Sequence, residues 1–593
     1  MDAPLTRRGG RAASVLLEAT LLALLLAFSA AAVRLHQRDD SPTFDEAVHL
    51  FSGAEALEDG SGWLNPEHPP LLKLAGALAL RPLRLATPCR VMPCTASPFN
   101  GYLRWLYANS APAHRIVAEG RRPFPWILLL LAVVLHLGVR RLAGPAAGLL
   151  AAGVVALDPG FVAHAAYVHT DVGAAFAFLL VVLLAVRAAS GTTLVRWLLL
   201  GVAFGLALVT KFSAVLLLPV VAVAPFLALV STGRLRPGGP PPWRVTRDRV
   251  LGALVALAVA AGVVYAVKAF VLRRMPAEAV EASVRSYLES REARPAEVEA
   301  HVLVARLSPP LGHWLGGLKG VLVLSERGRG ANWFHGETSE RAFPLYFPAA
   351  FLFKSTPSFL ALLLVALAAG LARLRPRAPA LPPRTAIAVL LPLLVAAGYF
   401  ASSMRSSFNI GARHLLPVWA LLAFSAAVVV GRSLAARPRV LAGVALVLVA
   451  GTGLSLVPSR NAPIAYFNLL AGGPEGGRRW FSDSNVDWGQ DLYRLHLLLA
   501  ERGWEETTTV VAYGGVATNY YSRSCRLLDP AVPFGPGRYA VSHMMETLGY
   551  PFTKGIEGEA GARQVEALVR ALKERGRRIA FVGGSITVWE LPG

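Results

Sequence analysis

Apolar residues in this chain come in blocks of bilayer-crossing length. Residues 15–33 read VLLEATLLALLLAFSAAAV, and about ten later blocks resemble them. A transmembrane helix needs roughly 20 predominantly apolar residues, so the blocks predict a polytopic membrane protein rather than a water-soluble one. Composition agrees: the 593 residues are 54% hydrophobic and 16% charged, against about 25% charged in soluble domains. The spacing predicts about eleven spans, at 15–33, 124–140, 144–160, 171–188, 195–210, 213–230, 250–272, 349–371, 385–403, 414–431 and 440–457. Acidic sequence follows the first block closely and no small-residue cleavage pattern ends it, so it reads as a retained span, not a signal peptide.

The formal net charge is +22, a value that suggests nucleic acid until its distribution is read. Arginines crowd alternate short connections, such as Arg140 with Arg141, Arg187 with Arg196, and Arg373 with Arg384. Positive residues of this kind mark the cytoplasmic side. That orientation leaves the N-terminus cytoplasmic, as in a bacterial plasma membrane. Opposite lie the loops at about 34–123 and 273–348, three short connections, and everything after about Pro458. Acids and histidines concentrate there.

Two domains are expected. Residues 1–457 form the membrane part; within its first loop, PPLLKLAGALALRPL is too short to span and reads as an interfacial helix. Residues 458–593 alternate strand and helix patterns, as in TTTVVAYGG and ARQVEALVRALKERG, which predicts a small α/β extracytoplasmic domain. Cys89 and Cys94 sit close together and Cys525 stands alone. In an oxidising exterior the first two suit a disulfide, though two free thiols fit the spacing as well.

The chemistry-bearing residues cluster on the external side. PTFDEAVHLF places Asp45 and Glu46 just beyond the first span. Adjacent acids on a helix point about 100° apart, so one can face a cavity while the other makes structural bonds. The pair also fits a helix N-terminus capped by Thr43 or Asp45. NPEHPP offers Glu67 and His68 between prolines, as a substrate contact, a metal contact or a rigid turn. The loop before the fourth span carries His169 and Asp171, for which helix capping is the competing reading. Lys211 in a tight external turn, and Arg405, Arg413 and His414 beside the ninth and tenth spans, are cations where the positive-inside rule disfavours them. An anionic, membrane-borne substrate accounts for them. In DSNVDWGQDL, Asp483, Asn485 and Asp487 alternate; a turn before a helix, with Asp487 as its cap, is preferred there over an acceptor or metal site.

No P-loop, dinucleotide fingerprint or HExxH occurs, so ATP-driven transport and zinc proteolysis lose their usual signatures. The DE pair followed by NPEHPPLLKL resembles the lipid-carrier-dependent glycosyltransferases of the GT-C class, in particular the protein O-mannosyltransferases and the bacterial transferases that add aminoarabinose to lipid A. HTD at 169–171, LALVTKFS, GARHLLP and FSDSNVDWGQDL fit the same resemblance. It implies a GT-C-like membrane fold and extracytoplasmic transfer from a polyprenyl-phosphate sugar to a hydroxyl of a protein, lipid or glycan, with inversion expected. Asp45 would be the base, Glu46 its acidic neighbour and Asp171 a supporting acid. Charge and topology, rather than the family, nominate Lys211, Arg405 and Arg413 for the phosphate. No cofactor is implied with certainty, and a divalent metal is left open. A transporter or flippase of a lipid-linked sugar is the competing function.

Overall fold

The computed structural model describes residues 5–593 except 63, 88–97, 192, 232–241, 329, 376–380, 515 and 530. Cys89 and Cys94, and with them the expected disulfide, lie outside the described residues. Among the described residues, seven helices are long and apolar enough to cross a membrane. They are Ala13–Asp39, Ala113–Ala143, Asp171–Ala189, Thr246–Val271, Pro383–Arg405, Ala412–Ser433 and Pro438–Ser459. Two bent helix pairs raise the number to nine if each counts as one span.

The difference from eleven lies at 195–210 and 213–230. These blocks form the shorter apolar helices Leu194–Leu208 and Phe212–Leu227. At 1.5 Å per residue the first is about 22 Å long, short of a core of about 30 Å. It ends because the chain must turn there: Lys211 takes an extended backbone conformation and its ammonium group pairs with Asp171.

Both bends have local causes. Pro145–Ala156 and Pro159–Ala165 meet at 62°, where Asp158 Oδ1 accepts from Gly160 N at 2.9 Å and Phe161 N at 3.2 Å and starts a new helix. Tyr346–Lys354 and Pro357–Ala372 meet at 104°. Pro357 disfavours a helical residue before it, and Thr356 caps the second helix through Phe359 N at 3.2 Å. One close helix pairing uses small residues: Leu194–Leu208 presents Gly201 and Gly205 to Pro242–Val271. A Cβ on Gly201 would fall 2.6 Å from the Ala256 carbonyl oxygen, and one on Gly205 2.9 Å from that of Ala260, as in small-xxx-small membrane packing.

The two long connections are themselves folded. The first contains the helices Phe44–Ala54, Leu71–Leu80 and Ala113–Arg121; the second contains Ala277–Ser290, Pro295–Leu307 and Pro309–Arg327, then the hairpin β1 (Asn332–Phe334) and β2 (Glu337–Ser339). Near the C-terminus, β3 (Thr508–Val511), β4 (Arg526–Leu527), β5 (Gly537–Ser542), β6 (Arg577–Val582) and β7 (Ile586–Leu591) form a mixed sheet in the order β4-β3-β5-β7-β6. Period-two alternation gives it two buried faces. Val510, Ala540 and Val588 pack with Leu492, Leu495 and Leu499, while Val511, Val541 and Trp589 pack under Leu568 and Leu572.

The sheet-bearing portion is seamed to both long connections. Residues 41–44 bond to residues 488–492: Ser41 N donates to the Gln490 carbonyl at 2.9 Å and Phe44 N to that of Trp488 at 3.0 Å. Ser41 Oγ donates to the Gly489 carbonyl at 2.8 Å and accepts from Leu492 N at 3.0 Å. At the second seam Phe334 bridges to Phe481, and His335 stacks on Trp480 with centroids 4.1 Å apart.

Candidate active site

Thr43 ends the extended seam and starts the Phe44–Ala54 helix. Glu46 reaches back to accept from Thr43 N at 2.9 Å, the acidic half of a capping box. Its carboxylate also receives Arg121 Nε at 2.8 Å, Arg121 Nη2 at 2.7 Å and Val168 N at 2.9 Å. Glu46 and Arg121 are fully buried, and the remaining Arg121 donors reach the carbonyls of Gln37, Asp40 and Ser41. Glu46 therefore clamps three chain segments together and does not line the adjoining cavity.

Asp45, one residue earlier, does line it. The cavity measures about 550 Å³ and lies between the Phe44–Ala54 helix, the NPEHPP turn, Tyr102 and the Ala277–Ser290 helix. Glu67 and His68 also line it, as does Arg291. Arg291 Nη2 donates to Glu67 Oε2 at 2.6 Å, while its Nε is buried without a hydrogen-bond partner. Lys73 anchors the turn from below, donating to the Asn65 carbonyl at 3.0 Å.

Behind Asp45 runs a chain of charges from four distant segments. Asp45 Oδ2 is 3.3 Å from His169 Nε2 and 3.2 Å from Arg413 Nη1. The other imidazole nitrogen of His169 faces Asp171, which also pairs with Lys211 and lies 3.7 Å from Arg413 Nη1. Trp488 closes the group: the Arg413 guanidinium carbon sits 4.0 Å from its ring centroid, and the His169 ring meets it edge-on at 4.8 Å.

Burial works against the Asp45 anion, but the His169 hydrogen bond and the Arg413 charge hold its carboxyl well below the usual carboxylate range. His49 and His68 behave oppositely. Burial, reinforced by the charge of His169, pushes His49 down to about 3. Burial, with His49 beside it, also puts His68 well below the ordinary imidazole value. Both rings are neutral at pH 7 and contribute hydrogen-bonding atoms rather than charge.

Asp45, His169, Asp171, Lys211 and Arg413 thus meet in one network, with Glu67 and His68 across the cavity. Arg405 stands apart, exposed at the end of the Pro383–Arg405 helix and absent from the cavity lining. His414 is half-buried, its Nε2 without a partner, and it too is not among the lining residues. Asp487 does not cap the helix that follows it, which begins at Leu492 after Asp491. It accepts from Met544 N at 2.8 Å, in the first turn of the His543–Arg575 helix, and so caps a different helix. Among the described residues no group of three His, Cys, Asp or Glu side chains is arranged to hold a metal ion.

Sequence reasoning missed Arg121, Arg291 and Trp488. Arg121 resembles any other loop arginine. Arg291 ends a charged helical stretch, and Trp488 sits inside the motif read as a turn.

Residues 121–266 match the family described as dolichyl-phosphate-mannose-protein mannosyltransferase. The likeness is to lipid-carrier-dependent glycosyltransferases. The matched stretch contains Arg121, His169, Asp171 and Lys211, and stops well short of Arg413. No curated protein matches the chain. Among solved structures, ArnT from Cupriavidus metallidurans aligns over 96% of this chain and 98% of its own, at 14% identity and a TM-score of 0.31 in the apo state. With undecaprenyl phosphate bound, it aligns at 13% identity, the same coverage and a TM-score of 0.31. The Archaeoglobus fulgidus oligosaccharyltransferase, in complex with zinc and sulfate, aligns at 12% identity over 96% of this chain and 73% of its own, with a TM-score of 0.43.

Proposed function

We propose that this protein is an integral-membrane glycosyltransferase that moves a sugar from a polyprenyl-phosphate-linked donor to an acceptor hydroxyl. The observation that carries the reading is Asp45, an ionised carboxylate at the wall of a cavity of about 550 Å³, within the usual range for a ligand site. The mannosyltransferase likeness over residues 121–266 supports it. The alternating arginines support eleven membrane crossings, two of them short, with the cavity and residues 458–593 on the extracytoplasmic side.

In the proposed step the acceptor oxygen forms a bond to the anomeric carbon while the bond from that carbon to the phosphate oxygen breaks. The hydroxyl proton passes to Asp45, and the electron pair leaves with the polyprenyl phosphate. One displacement inverts the anomeric centre. A weakly basic carboxylate suffices, because the attacking oxygen becomes strongly acidic only as its new bond forms. The leaving phosphate is already a stable anion, so the site needs charge stabilisation rather than a general acid.

In this reading the cations expected to provide that stabilisation take other roles. Lys211 is engaged with the buried Asp171 and Arg413 with Asp45 at the cavity wall, and they hold the base in place. Arg291, although paired with Glu67, lines the cavity with neutral His68, and these two are the phosphate ligands in this reading. Glu46 becomes a positioning residue.

Reconstitution with a radiolabelled polyprenyl-phosphate sugar and a cell-envelope extract tests the proposal. Wild-type protein is expected to label an acceptor and Asp45→Asn to lose the activity. Transfer that survives this substitution removes Asp45 as the base. Donor translocation without transfer to any acceptor would favour a flippase.

A further inference from the structure

A second cavity lies at the other end of the helical bundle. It measures about 460 Å³ and is walled by apolar side chains, including Leu183 and Phe424. Three arginines, Arg141, Arg187 and Arg384, stand among its lining residues. They come from three different helices, Phe124–Ala143, Asp171–Ala189 and Pro383–Arg405. The Asp171–Ala189 helix measures the separation from the active site, since Asp171 is in the charge network and Arg187 is in this groove. Sixteen residues at 1.5 Å each place the two about 24 Å apart, close to the thickness of a hydrocarbon core.

The three arginines differ from their neighbours. Arg140 pairs with Glu18, Arg373 bonds Ser433 Oγ at 3.3 Å and Arg432 bonds Thr385 Oγ1 at 3.3 Å. Arg141, Arg187 and Arg384 are exposed, and among the described residues no carboxylate lies within ion-pair distance of any of them. Orientation alone requires basic residues near span ends; it does not require three of them to converge on one apolar groove. Like charges gathered without a counterion repel, and a bound anion removes the cost. The floor of the groove is already closely packed: a Cβ on Gly138 would fall 2.9 Å from Phe424 Cε2.

We propose that this groove binds an anionic glycerophospholipid, its phosphate among Arg141, Arg187 and Arg384 and an acyl chain along the apolar wall. Basic pockets between membrane helices suit lipid phosphates. The glycerophospholipid is favoured over a polyprenyl phosphate by position. The proposed reaction uses and releases its carrier at the Asp45 end, whereas glycerophospholipids occupy both leaflets permanently.

Native mass spectrometry of the full-length protein in detergent tests this, with palmitoyl-oleoyl phosphatidylglycerol, the matching phosphatidylcholine and undecaprenyl phosphate as probes. Wild-type protein is expected to retain phosphatidylglycerol over phosphatidylcholine, and each Arg→Gln change at 141, 187 or 384 to weaken retention by about fivefold. Leu184→Trp narrows the groove without altering its charge and is expected to lower retention too; it decides the matter if the triple Gln variant fails to insert. Equal retention of the two phospholipids, or retention unchanged in both kinds of variant, overturns the site. Tighter retention of undecaprenyl phosphate than of phosphatidylglycerol overturns the assigned occupant.

Discussion

The Arg413 guanidinium carbon lies over Trp488, 4.0 Å from the ring centroid, and the same arginine reaches Asp45 at 3.2 Å. The aromatic face holds the cation where the carboxylate needs it. A desolvated cation–π contact contributes about 2 kcal/mol, or about thirtyfold in rate. Trp488→Ala is therefore expected to lower transfer by roughly that factor, while Trp488→Phe keeps most of it. Full activity in the alanine variant would show that Trp488 does not position Arg413.

Glu46 and Asp45 should fail in different ways. Removing one partner of a buried ion pair costs about 3–5 kcal/mol, so Glu46→Gln is expected to lower thermal stability in detergent sharply. Asp45→Asn should abolish transfer with a smaller loss of stability, because Arg413 keeps Asp171 as a partner at 3.7 Å. Equal melting temperatures for Glu46→Gln and wild type would contradict the clamp formed by Glu46 and Arg121.

Arg291 and Arg405 separate two accounts of phosphate binding. Hydrogen bonds to charged groups contribute about 1.5–3 kcal/mol, so Arg291→Gln should raise the donor KM by roughly ten- to a hundredfold. Arg405→Gln, at an exposed helix end, should leave it unchanged. The reverse pattern in steady-state kinetics would return the phosphate to the helix end.

The seam between the first loop and the C-terminal portion is expected to weaken as pH rises. Burial raises Asp40 to about 6 against the opposing charge of Arg494, and raises Asp487 to about 7 against its hydrogen bonds. Both acids bind protons more readily folded than unfolded, so stability falls as pH climbs from about 4 to about 7. Protease release of the C-terminal portion should be slower at pH 5 than at pH 8, and Asp487→Asn should flatten the difference. Release that is equally fast at both pH values in wild type would remove these acids as its cause.

Much of the helical architecture is legible because burial in a bilayer demands long apolar runs, and such runs stand out without reference to any partner. The short helix Leu194–Leu208 shows the limit: hydropathy marks it as a span, and only the turn that brings Lys211 to Asp171 reveals why it stops early. In the candidate site, Asp45 was visible because an acid beside a span needs explaining. Arg121 was not, because nothing in RRPFP indicates that its counterion lies 75 residues earlier. Trp488 was hidden for a similar reason. Its partners His169 and Arg413 come from other segments, and a lone tryptophan beside glycine carries no periodicity. The β5 strand Gly537–Ser542 likewise gains its identity from β3 and β7 on either side rather than from a pattern of its own.

The seam that ties Ser41 and Phe44 to Trp488 and Gln490 has a bearing on how the protein comes into being. Asp45 leaves the ribosome more than four hundred residues before Trp488, the indole that braces its arginine. A half-made chain in the membrane carries the acid but not its setting, so the network around Asp45 is complete only after residue 488 has been made and folded against it. In the proposed reaction, the contribution of Trp488 is therefore gained only late in synthesis.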